Sequence, residues 1–388
     1  MKHSEQIVVI GSGLAAFTVV REFRKLNPNQ AIVIITKESG DFYSKPMIST
    51  AFASHKEAAQ LVTTPKEKMA SQLHIEILGH TEVVSIDPKA NEIEIKDQNG
   101  MITKLPYAKL VLATGAQQIQ LPIKGNGTSQ ILSVNNLSEY QHFRDRIQNQ
   151  KRIAIIGGGL IGCEFANDLS IGGFSVSVID LASQLLGRLV PETIASQLQS
   201  RLSNIGVQFY LNNSVTEINQ STDGLELKLA NGQPLNADVV LSAVGLRPDL
   251  TLANQSGIRT NKGIVVNRQL QTNFENIYAL GDCAEINGLV LPYVLPIMAA
   301  AKVVAAGLNN QVQELIYPAM PVVVKTPALP LVVSPASANS DGAWHFIEDK
   351  DGIEARFEDD GKLLGFALAG QATNQRSTLT KLLPNILN

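Results

Sequence analysis

The sequence predicts an α/β protein in which two parallel β-sheets are each built on a β-α-β unit, followed by a small α+β domain. The main observation is a repeat: an apolar strand, a glycine-rich turn and a helical segment occur at residues 7–35 and again at residues 152–179. With 388 residues the chain is too long for one core. The segment from Pro318 onward changes composition, being rich in Pro and Val and then polar, which indicates a separate domain.

The first unit begins with an apolar strand at residues 7–10 and continues with a glycine-rich turn at 11–16. Apolar residues at helical spacing follow, Asn27-Pro28-Asn29 ends the helix, and residues 31–35 predict a second buried strand. The second unit has the same order, with strands at 152–156 and 175–179 and a helix ending near Ile171. Each unit is expected to be parallel with a right-handed crossover.

Other short apolar segments complete the two sheets. Strands are predicted at 75–77, 83–86, 93–95 and 109–114 between the units, and at 207–211, 225–229 and 239–244 after the second. We therefore divide the chain into a discontinuous first domain (1–115 and 247–318), a second domain (116–246) and a C-terminal domain (319–388).

Composition excludes several classes of function. Hydrophobic residues make up 44% and charged residues 17%, as in an ordinary folded protein, and the net charge of −3 with no dense Lys/Arg stripe gives no reason to expect a nucleic-acid partner. No signal peptide or apolar run of about 18 residues is present, so we expect a cytoplasmic protein without membrane insertion. Two cysteines imply no disulfide framework, and the histidines show no metal-ligand spacing.

The glycine-rich turns indicate two dinucleotide sites, because each follows an apolar strand and opens a helix. The first glycine permits a tight turn, the second lets the backbone approach a pyrophosphate, and the helix N-terminus supplies N–H donors. The alternative is that one copy serves only as a turn that stabilises the fold. The candidate binding residues are Gly11, Ser12, Gly13, Leu14 and Ala15 in the first unit and Gly157, Gly159, Leu160, Ile161 and Gly162 in the second.

An acidic residue at the end of the second strand normally accepts a hydrogen bond from the adenosine ribose. In the second unit this position is Asp180, whose carboxylate would repel a 2′-phosphate, and the sequence therefore favours NADH over NADPH. In the first unit Glu38 is displaced by about two positions, and Thr36 and Lys37 are the alternative ribose contacts.

Two further strand ends make the first site more specific. One strand ends in Thr114-Gly115, a turn of small residues. Another ends in Gly281-Asp282, where the glycine allows a close backbone approach and the carboxylate offers an acceptor to a sugar-like hydroxyl. Taken alone, either could be an ordinary strand end. Together with the paired glycine turns they indicate FAD.

At this point the sequence resembles a known family, the flavoproteins with two dinucleotide-binding domains, which have the fold of glutathione reductase and of oxygenase-coupled ferredoxin reductases. Within that family the resemblance is to the rubredoxin–NAD⁺ reductases, and flavorubredoxin reductases look similar. It covers essentially the whole chain and is carried by the segments 43–47 (Tyr-Ser-Lys-Pro-Met), 160–168, 243–248, 277–284 and 324–327 (Val-Lys-Thr-Pro).

The resemblance implies a role for individual residues. Asp282 would bind the ribitol of FAD, Val83 would contact its adenine half through the backbone, and the Val294 backbone and Lys325 would lie at the pyrimidine edge of the flavin. Gly245 would contact a bound nucleotide. Lys45 would stand beside flavin N5 and pair with Glu164, and these two are the expected catalytic residues. The alternative is that Lys45 and Glu164 form a structural ion pair between two domains.

The same resemblance implies an enzyme that passes electrons from NADH through FAD to rubredoxin, in an alkane-hydroxylase-type or oxidative-stress electron chain. Cys163 and Cys283 are 120 residues apart and are interpreted as packing residues, so no thiol is expected to take part. Two alternatives remain: a flavorubredoxin or ferredoxin reductase of the same family, and an FAD-bearing interaction protein that NADH switches.

Overall fold

The computed structural model describes residues 5–337 and 340–388. The strands are β1 (Ile7–Ile10), β2 (Ile32–Ile35), β3 (Phe42–Tyr43), β4 (Val62–Thr64), β5 (Glu76–Leu78), β6 (Glu82–Asp87), β7 (Glu92–Lys96), β8 (Ile102–Pro106), β9 (Lys109–Leu112), β10 (Ala116–Gln118), β11 (Ile131–Leu132), β12 (Arg152–Ile156), β13 (Ser175–Ile179), β14 (Gln208–Tyr210), β15 (Val215–Ser221), β16 (Gly224–Leu229), β17 (Pro234–Ala237), β18 (Val239–Ser242), β19 (Leu246–Pro248), β20 (Ile264–Val266), β21 (Ile277–Ala279), β22 (Ala284–Ile286), β23 (Val322–Val324), β24 (Leu331–Ser334), β25 (Ala343–Asp349), β26 (Gly352–Asp359) and β27 (Lys362–Gly370).

The α-helices are α1 (Leu14–Leu26), α2 (Ala58–Leu61), α3 (Lys66–Leu73), α4 (Leu137–Ile147), α5 (Leu160–Ile171), α6 (Glu192–Asn204), α7 (Thr251–Gln255), α8 (Val294–Leu308) and α9 (Arg376–Thr380). Short 3₁₀ segments lie at Lys45–Thr50, Thr128–Gln130, Gly187–Leu189, Gly281–Cys283 and Gln371–Gln375.

The first parallel sheet has the strand order β21-β9-β1-β2-β5, so a strand that follows the second unit in sequence returns to the sheet of the first. Every residue of β1 and β2 is buried, because helices cover both faces of a parallel sheet. Strand β1 lies between β2 and β9, and the connections on its two sides diverge. This is the switch point at which open α/β sheets bind ligands beyond the carboxyl ends of their strands.

The second parallel sheet repeats this arrangement with the order β11-β18-β12-β13-β14. Strand β12 stands between β13 and β18 as β1 stands between β2 and β9. The register is equivalent as well, since Ile10 pairs with Ile35 and Ile156 pairs with Ile179. The two units of the sequence therefore fold as two copies of one structure, and the predicted α/β class is confirmed.

The C-terminal residues form a five-stranded antiparallel sheet, ordered β23-β24-β27-β26-β25, with α9 beside it. This sheet shares a core with the second unit, because Phe165 of α5 belongs to the same buried apolar cluster as Leu331 and Ala367. Smaller sheets complete the fold: β6-β7-β8, β15-β16-β17, β10-β19, β20-β22 and β3-β4.

Candidate active site

The carboxyl ends of both parallel sheets open into one continuous cavity of about 2130 Å³. A site for a single small molecule usually measures roughly 300–1,000 Å³, so the space is large enough for more than one ligand. Both glycine-rich turns line it. The two sites expected from the sequence therefore belong to one cavity.

The first turn connects β1 to α1 and packs against the end of β9. Gly11 has φ +110°, a conformation that side chains rarely adopt, and a Cβ there would collide with the Ala113 carbonyl oxygen. Gly13 is the N-cap of α1 without a side-chain cap, and a Cβ built on it would meet no atom within 4 Å. The uncapped N–H groups of α1 thus open onto free space, which suits a pyrophosphate.

The second turn has the same construction. Gly157 also has φ +110°, and a Cβ there would lie 2.6 Å from the Ala243 carbonyl oxygen. Gly159 is the uncapped N-cap of α5 and again has no atom within 4 Å of an added Cβ. Both turns therefore fit the pyrophosphate of a dinucleotide by the same geometry.

Of the site residues predicted from the sequence, all but two line the cavity. The lining residues are Gly11, Ser12, Gly13, Leu14, Ala15, Thr36, Lys37, Lys45, Val83, Thr114, Gly115, Gly157, Gly159, Leu160, Ile161, Glu164, Asp180, Gly245, Asp282, Val294 and Lys325. Gly162 and Gly281 lie behind the residues that line the cavity. A Cβ added to Gly162 would collide with the Gly157 carbonyl oxygen, and a Cβ added to Gly281, which has φ +79°, would lie 3.1 Å from the Ala15 Cβ.

Thr36 and Asp180 occupy equivalent positions in the two units. Thr36 directly follows Ile35, which pairs with the last residue of β1, and Asp180 directly follows Ile179, which pairs with the last residue of β12. Thr36 Oγ1 accepts a hydrogen bond of 2.9 Å from Ser12 Oγ, and both side chains are buried. At the equivalent place Asp180 Oδ2 accepts a hydrogen bond from the Gly158 N–H, while its Oδ1 accepts one of 2.7 Å from the Ala182 N–H. The strand end thus holds the glycine turn through a hydroxyl in one unit and a carboxylate in the other.

The fit of the first site to FAD can be tested on an unpaired polar atom. The Thr114 hydroxyl, at the turn after β9, is buried beside the Cys283 thiol and has no oxygen or nitrogen partner among the described residues. It lines the cavity. Because buried polar groups are normally paired, this hydroxyl fits a site that a polar ligand completes. The residues of this end of the cavity therefore fit FAD.

Three charged side chains that line the cavity, Glu38, Lys45 and Asp282, influence one another. Burial raises the pKa of the Asp282 carboxyl, and the nearby Lys45 ammonium partly offsets that rise. Partial loss of hydration also raises the pKa of Glu38, whose side chain stays exposed to the cavity. The Tyr43 hydroxyl, which donates to this carboxyl at 2.9 Å, and the Lys45 ammonium both oppose that rise. The Lys45 ammonium thus lowers the pKa of both carboxyls, which places it near them in the cavity lining.

The expected pairing of Lys45 with Glu164 is wrong. The Glu164 side chain is completely buried, and its partner is Lys325, whose Nζ donates to Oε2 at 2.6 Å and whose backbone N–H donates to Oε1 at 2.9 Å. The Ser49 hydroxyl donates to Oε2 at 2.5 Å. Lys325 is the lysine partner of Glu164, because its backbone N–H and its ammonium both donate hydrogen bonds to the carboxylate. The segment that carries Lys45 also contacts Glu164, through the hydroxyl of Ser49.

Helix α8 begins at Val294, and its N-cap Tyr293 provides no side-chain cap. Val294 is half-exposed and lines the cavity, so the first N–H groups of the helix face it. Pro296 lies in this first turn, where its missing N–H removes no helix bond. The N-terminus of a helix favours negative charge, so this part of the cavity suits an anionic group.

Both cysteines are buried and unpaired. Burial raises the pKa of the Cys163 thiol to about 12 and raises that of Cys283 as well. Neither residue is among those that line the cavity. The interpretation of both as packing residues agrees with these surroundings, since a nucleophilic cysteine needs a lowered pKa.

Sequence reasoning assigned no role to several residues that line the cavity or hold neighbouring segments. They are Tyr43, Ser49, Asn135, Asn167 and Asp168. Asn135 Oδ1 is buried without a partner in the described part of the chain, while its amide donates to the Ala116 carbonyl at 2.9 Å. Ser49 lay close to a singled-out lysine, but nothing in the sequence indicated which residues its segment would meet.

Among residues 5–337 and 340–388, none of the helices combines the length and the apolar character that a membrane span requires. Within the same residues no group of three or more His, Cys, Asp or Glu side chains is placed to hold a metal ion.

Comparison with known proteins gives two family matches. A family model described as pyridine nucleotide-disulphide oxidoreductase matches residues 5–307. A second, described as rubredoxin binding C-terminal domain, matches residues 314–383, which include the antiparallel sheet.

Individual proteins are similar over nearly the whole chain. The chain is 46% identical to the rubredoxin-NAD(+) reductase of Acinetobacter baylyi over 387 residues, covering 98% of each protein. It is 36% identical to the nitric oxide reductase FlRd-NAD(+) reductase of Klebsiella pneumoniae, covering 98% of this chain and 99% of that one. A solved ferredoxin reductase from Rhodopseudomonas palustris superposes with a TM-score of 0.87 at 27% identity, covering 96% of this chain and 93% of that one.

Proposed function

Because the chain belongs to the pyridine nucleotide-disulphide oxidoreductase family, we propose that it is an FAD-dependent reductase that takes electrons from NADH and delivers them to rubredoxin. FAD supplies a ring that accepts a hydride and releases electrons one at a time. The protein holds both cofactors, orients them and supplies charge. Since NADH is a cytoplasmic reductant, the proposed location is the cytoplasm.

The observation that carries this proposal is the single cavity shared by both glycine turns, bordered by a C-terminal domain that matches a rubredoxin-binding model. A hydride donor and its acceptor must lie within about 3–3.5 Å for transfer, and one cavity permits that approach. Among the described residues that line it there is no cysteine. Electrons would therefore leave the flavin for the acceptor protein without a protein thiol.

On the FAD side, the proposed pyrophosphate contacts are the backbone of Gly11, Ser12, Gly13, Leu14 and Ala15. Thr36 and Lys37 would meet the adenosine ribose, and Val83 the adenine. Lys37 already pairs with Glu82 at 2.8 Å, with its side chain mostly exposed. This pairing supports a ribose contact through the backbone or through Thr36. The remaining proposed contacts are Thr114, Gly115 and Asp282 toward the sugar-like chain, with Gly281 packed behind them against Ala15.

At the reaction centre, Lys45, Val294 and Lys325 would surround the flavin ring, while Glu164 would fix Lys325 and approach the nicotinamide. The burial of Glu164 and its bonds to Lys325 support a positioning part for it. On the NADH side, Gly157, Gly159, Leu160, Ile161 and Gly162 form the turn, Asp180 would accept from the ribose, and Gly245 would border the nucleotide.

Two matched glycine variants test the assignment of the cofactors to the two turns. Gly13 and Gly159 both have room for a methyl group, so Gly13→Ala and Gly159→Ala should fold normally. The methyl group would occupy the space in which a pyrophosphate approaches the backbone. Gly13→Ala should lower the FAD content of the purified protein. Gly159→Ala should keep FAD and raise KM for NADH; the reverse pattern would exchange the two assignments.

A panel of acceptors tests the function itself. With NADH in excess, turnover is measured with rubredoxin, flavorubredoxin, ferredoxin, cytochrome c and oxygen. We expect rubredoxin to be reduced at least tenfold faster than ferredoxin, cytochrome c or oxygen. Equal slow rates with every acceptor would refute the assignment. An anaerobic NADH titration separates the enzyme from an interaction protein, for which reduction should be slow and the charge-transfer complex persistent.

Flavorubredoxin is the second candidate acceptor, because the nitric oxide reductase FlRd-NAD(+) reductase of Klebsiella pneumoniae is 36% identical to this chain. The rubredoxin reductase of Acinetobacter baylyi is more similar, at 46%. The same panel decides between them by the ratio of kcat/KM for the two acceptors.

A further inference from the structure

Helix α5 carries three buried polar side chains on one face. Glu164, Asn167 and Asp168 are 0%, 1% and 6% exposed, and their i, i+3, i+4 spacing places them side by side. Such groups are costly to bury without hydrogen bonds. Each one accepts a hydrogen bond from a segment outside the second unit.

The Asp168 carboxylate binds the segment that carries Lys45. Its Oδ2 accepts hydrogen bonds from the Phe52 N–H at 2.7 Å and from the Ala53 N–H at 3.3 Å. These donors lie just beyond the 3₁₀ segment Lys45–Thr50. Asp168 therefore fixes the far end of the short segment that presents Lys45 to the cavity.

The Asn167 amide binds the segment that carries Lys325. Its Oδ1 accepts a 3.0 Å hydrogen bond from the Ala328 N–H, three residues after Lys325. Glu164 fixes the same segment at Lys325 itself. One face of α5 thus binds two segments, one carrying Lys45 and one carrying Lys325, that come from different parts of the chain.

Neither Asn167 nor Asp168 is among the side chains that line the cavity, whereas Lys45 and Lys325 both are. Any effect of the first two on bound cofactors must pass through another residue. We propose that Asp168 is a positioning residue for Lys45 and Asn167 a positioning residue for Lys325. The proposal rests on the function proposed above, in which both lysines lie beside the flavin.

Loss of the Asp168 carboxylate should misplace its segment without detaching it. The Phe52 ring remains packed against Tyr140, Phe143 and Phe165, with ring centroids 4.8, 5.3 and 5.9 Å away. A displacement of about 1 Å at a reaction centre can slow a reaction by on the order of 10²-fold. We expect a smaller displacement here, and a slowing of about tenfold.

The test is a set of double-mutant cycles on the FAD-loaded protein, read by the rate of flavin reduction with NADH in a stopped-flow instrument. Asp168→Ala should slow reduction about tenfold in the wild-type background. In a Lys45→Met background it should have an effect of less than about twofold, because the residue it positions is gone. Lys325→Met also removes the hydrogen bonds from the Lys325 ammonium to Pro46 and Ser49 in the segment that carries Lys45. In that background the effect of Asp168→Ala should therefore be at least as large as in the wild type. Asn167→Ala should slow reduction in the wild-type background and have an effect of less than about twofold in the Lys325→Met background.

Two further variants separate positioning from general damage. Asp168→Asn keeps an oxygen that can accept from the Phe52 N–H and should restore most of the rate. Ser170→Ala removes a hydrogen bond from α5 to the Ile205 carbonyl, which lies in neither lysine segment, and should leave the rate unchanged. If Asp168→Ala slows reduction equally with and without Lys45, the proposal is overturned. The same holds if Lys45→Met itself changes nothing.

A second readout keeps this proposal separable from the proposed function. The flavin absorption band of each FAD-loaded variant is recorded without NADH. Asp168→Ala should shift the band when Lys45 is present and leave it unshifted in the Lys45→Met background. If NADH fails to reduce the wild-type flavin, the proposed function fails, and the absorption cycle still decides the positioning of Lys45.

Discussion

Replacing Lys325 with methionine should destabilise the protein more than replacing Glu164 with glutamine. The Glu164 side chain is 0% exposed and that of Lys325 is 29% exposed, so the two partners lose different amounts of hydration. Lys325→Met leaves a buried carboxylate with only the Ser49 hydroxyl and the Lys325 N–H as donors. Removing one partner of a buried ion pair costs about 3–5 kcal/mol, and the partial exposure of Lys325 places this variant at the lower end, about 3 kcal/mol.

In Glu164→Gln the Lys325 ammonium loses its carboxylate partner but keeps other hydrogen-bond acceptors. It still donates to the Pro46 carbonyl and, at 2.8 Å, to the Ser49 hydroxyl, and it keeps contact with water. We expect a loss of about 1.5–2 kcal/mol, the lower part of the range for a hydrogen bond to a charged group, because the ammonium keeps its other acceptors. The variants should therefore differ by roughly 1–1.5 kcal/mol in this order.

Urea unfolding of the FAD-loaded proteins, followed by circular dichroism and flavin fluorescence, measures the difference. Lys302→Met is the control, because it removes one positive charge from an exposed position on α8 and should shift the midpoint little. Equal shifts for Lys325→Met and Glu164→Gln, or a larger shift for Glu164→Gln, would refute the assignment of the buried member of the pair.

Three further outcomes are expected. Asp180→Ala should raise KM for NADH by about 10- to 100-fold, since a hydrogen bond to a charged group is worth about 1.5–3 kcal/mol, and should narrow the preference over NADPH; an unchanged ratio of the two cofactors would rule out Asp180 as the ribose ligand. A thiol reagent at pH 8 should label neither cysteine of the native protein and both after unfolding, because burial raises both thiol pKa values; rapid labelling of the native protein would contradict this. Burial raises the pKa of Asp168, so the folded state binds the proton of this carboxyl more tightly than the unfolded state. The stability due to this carboxyl should therefore fall as the pH rises from about 4. Between pH 4, 5 and 6 the urea midpoint of the wild type should fall relative to that of Asp168→Asn, and a constant difference between the two midpoints would contradict the shift.

Elements with strong local signals could be predicted from the sequence. Strands β1, β12 and β13 have the predicted bounds, because short apolar runs between a polar residue and a glycine turn leave few alternatives. The glycine turns followed for the same reason, since tight turns and uncapped helix starts are encoded by neighbouring residues. The domain boundaries at 115/116, 246/247 and 318/319 stay predictions.

The partner of Glu164 could not be predicted in this way. Lys45 and Lys325 both lie in segments typical of the family, and both line the same cavity. Choosing between them requires the position of α5 relative to two distant segments, 115 and 161 residues away in sequence. The hydrogen bonds that Asn167 and Asp168 accept from distant segments were missed for the same reason. Polar residues in an apolar helix indicate that partners exist, but they do not identify those partners.

The duplicated unit also has a consequence for the origin of cofactor choice. Two copies of one backbone, with the same glycine conformation at Gly11 and Gly157, face one cavity. At the equivalent strand ends, Thr36 and Asp180 hold their glycine turns with different chemistry. The shared backbone thus provides the general dinucleotide-binding architecture, and a few side chains at the strand ends determine which nucleotide each copy binds. A change of cofactor would then require substitutions at those positions and no change in the sheets or the turns.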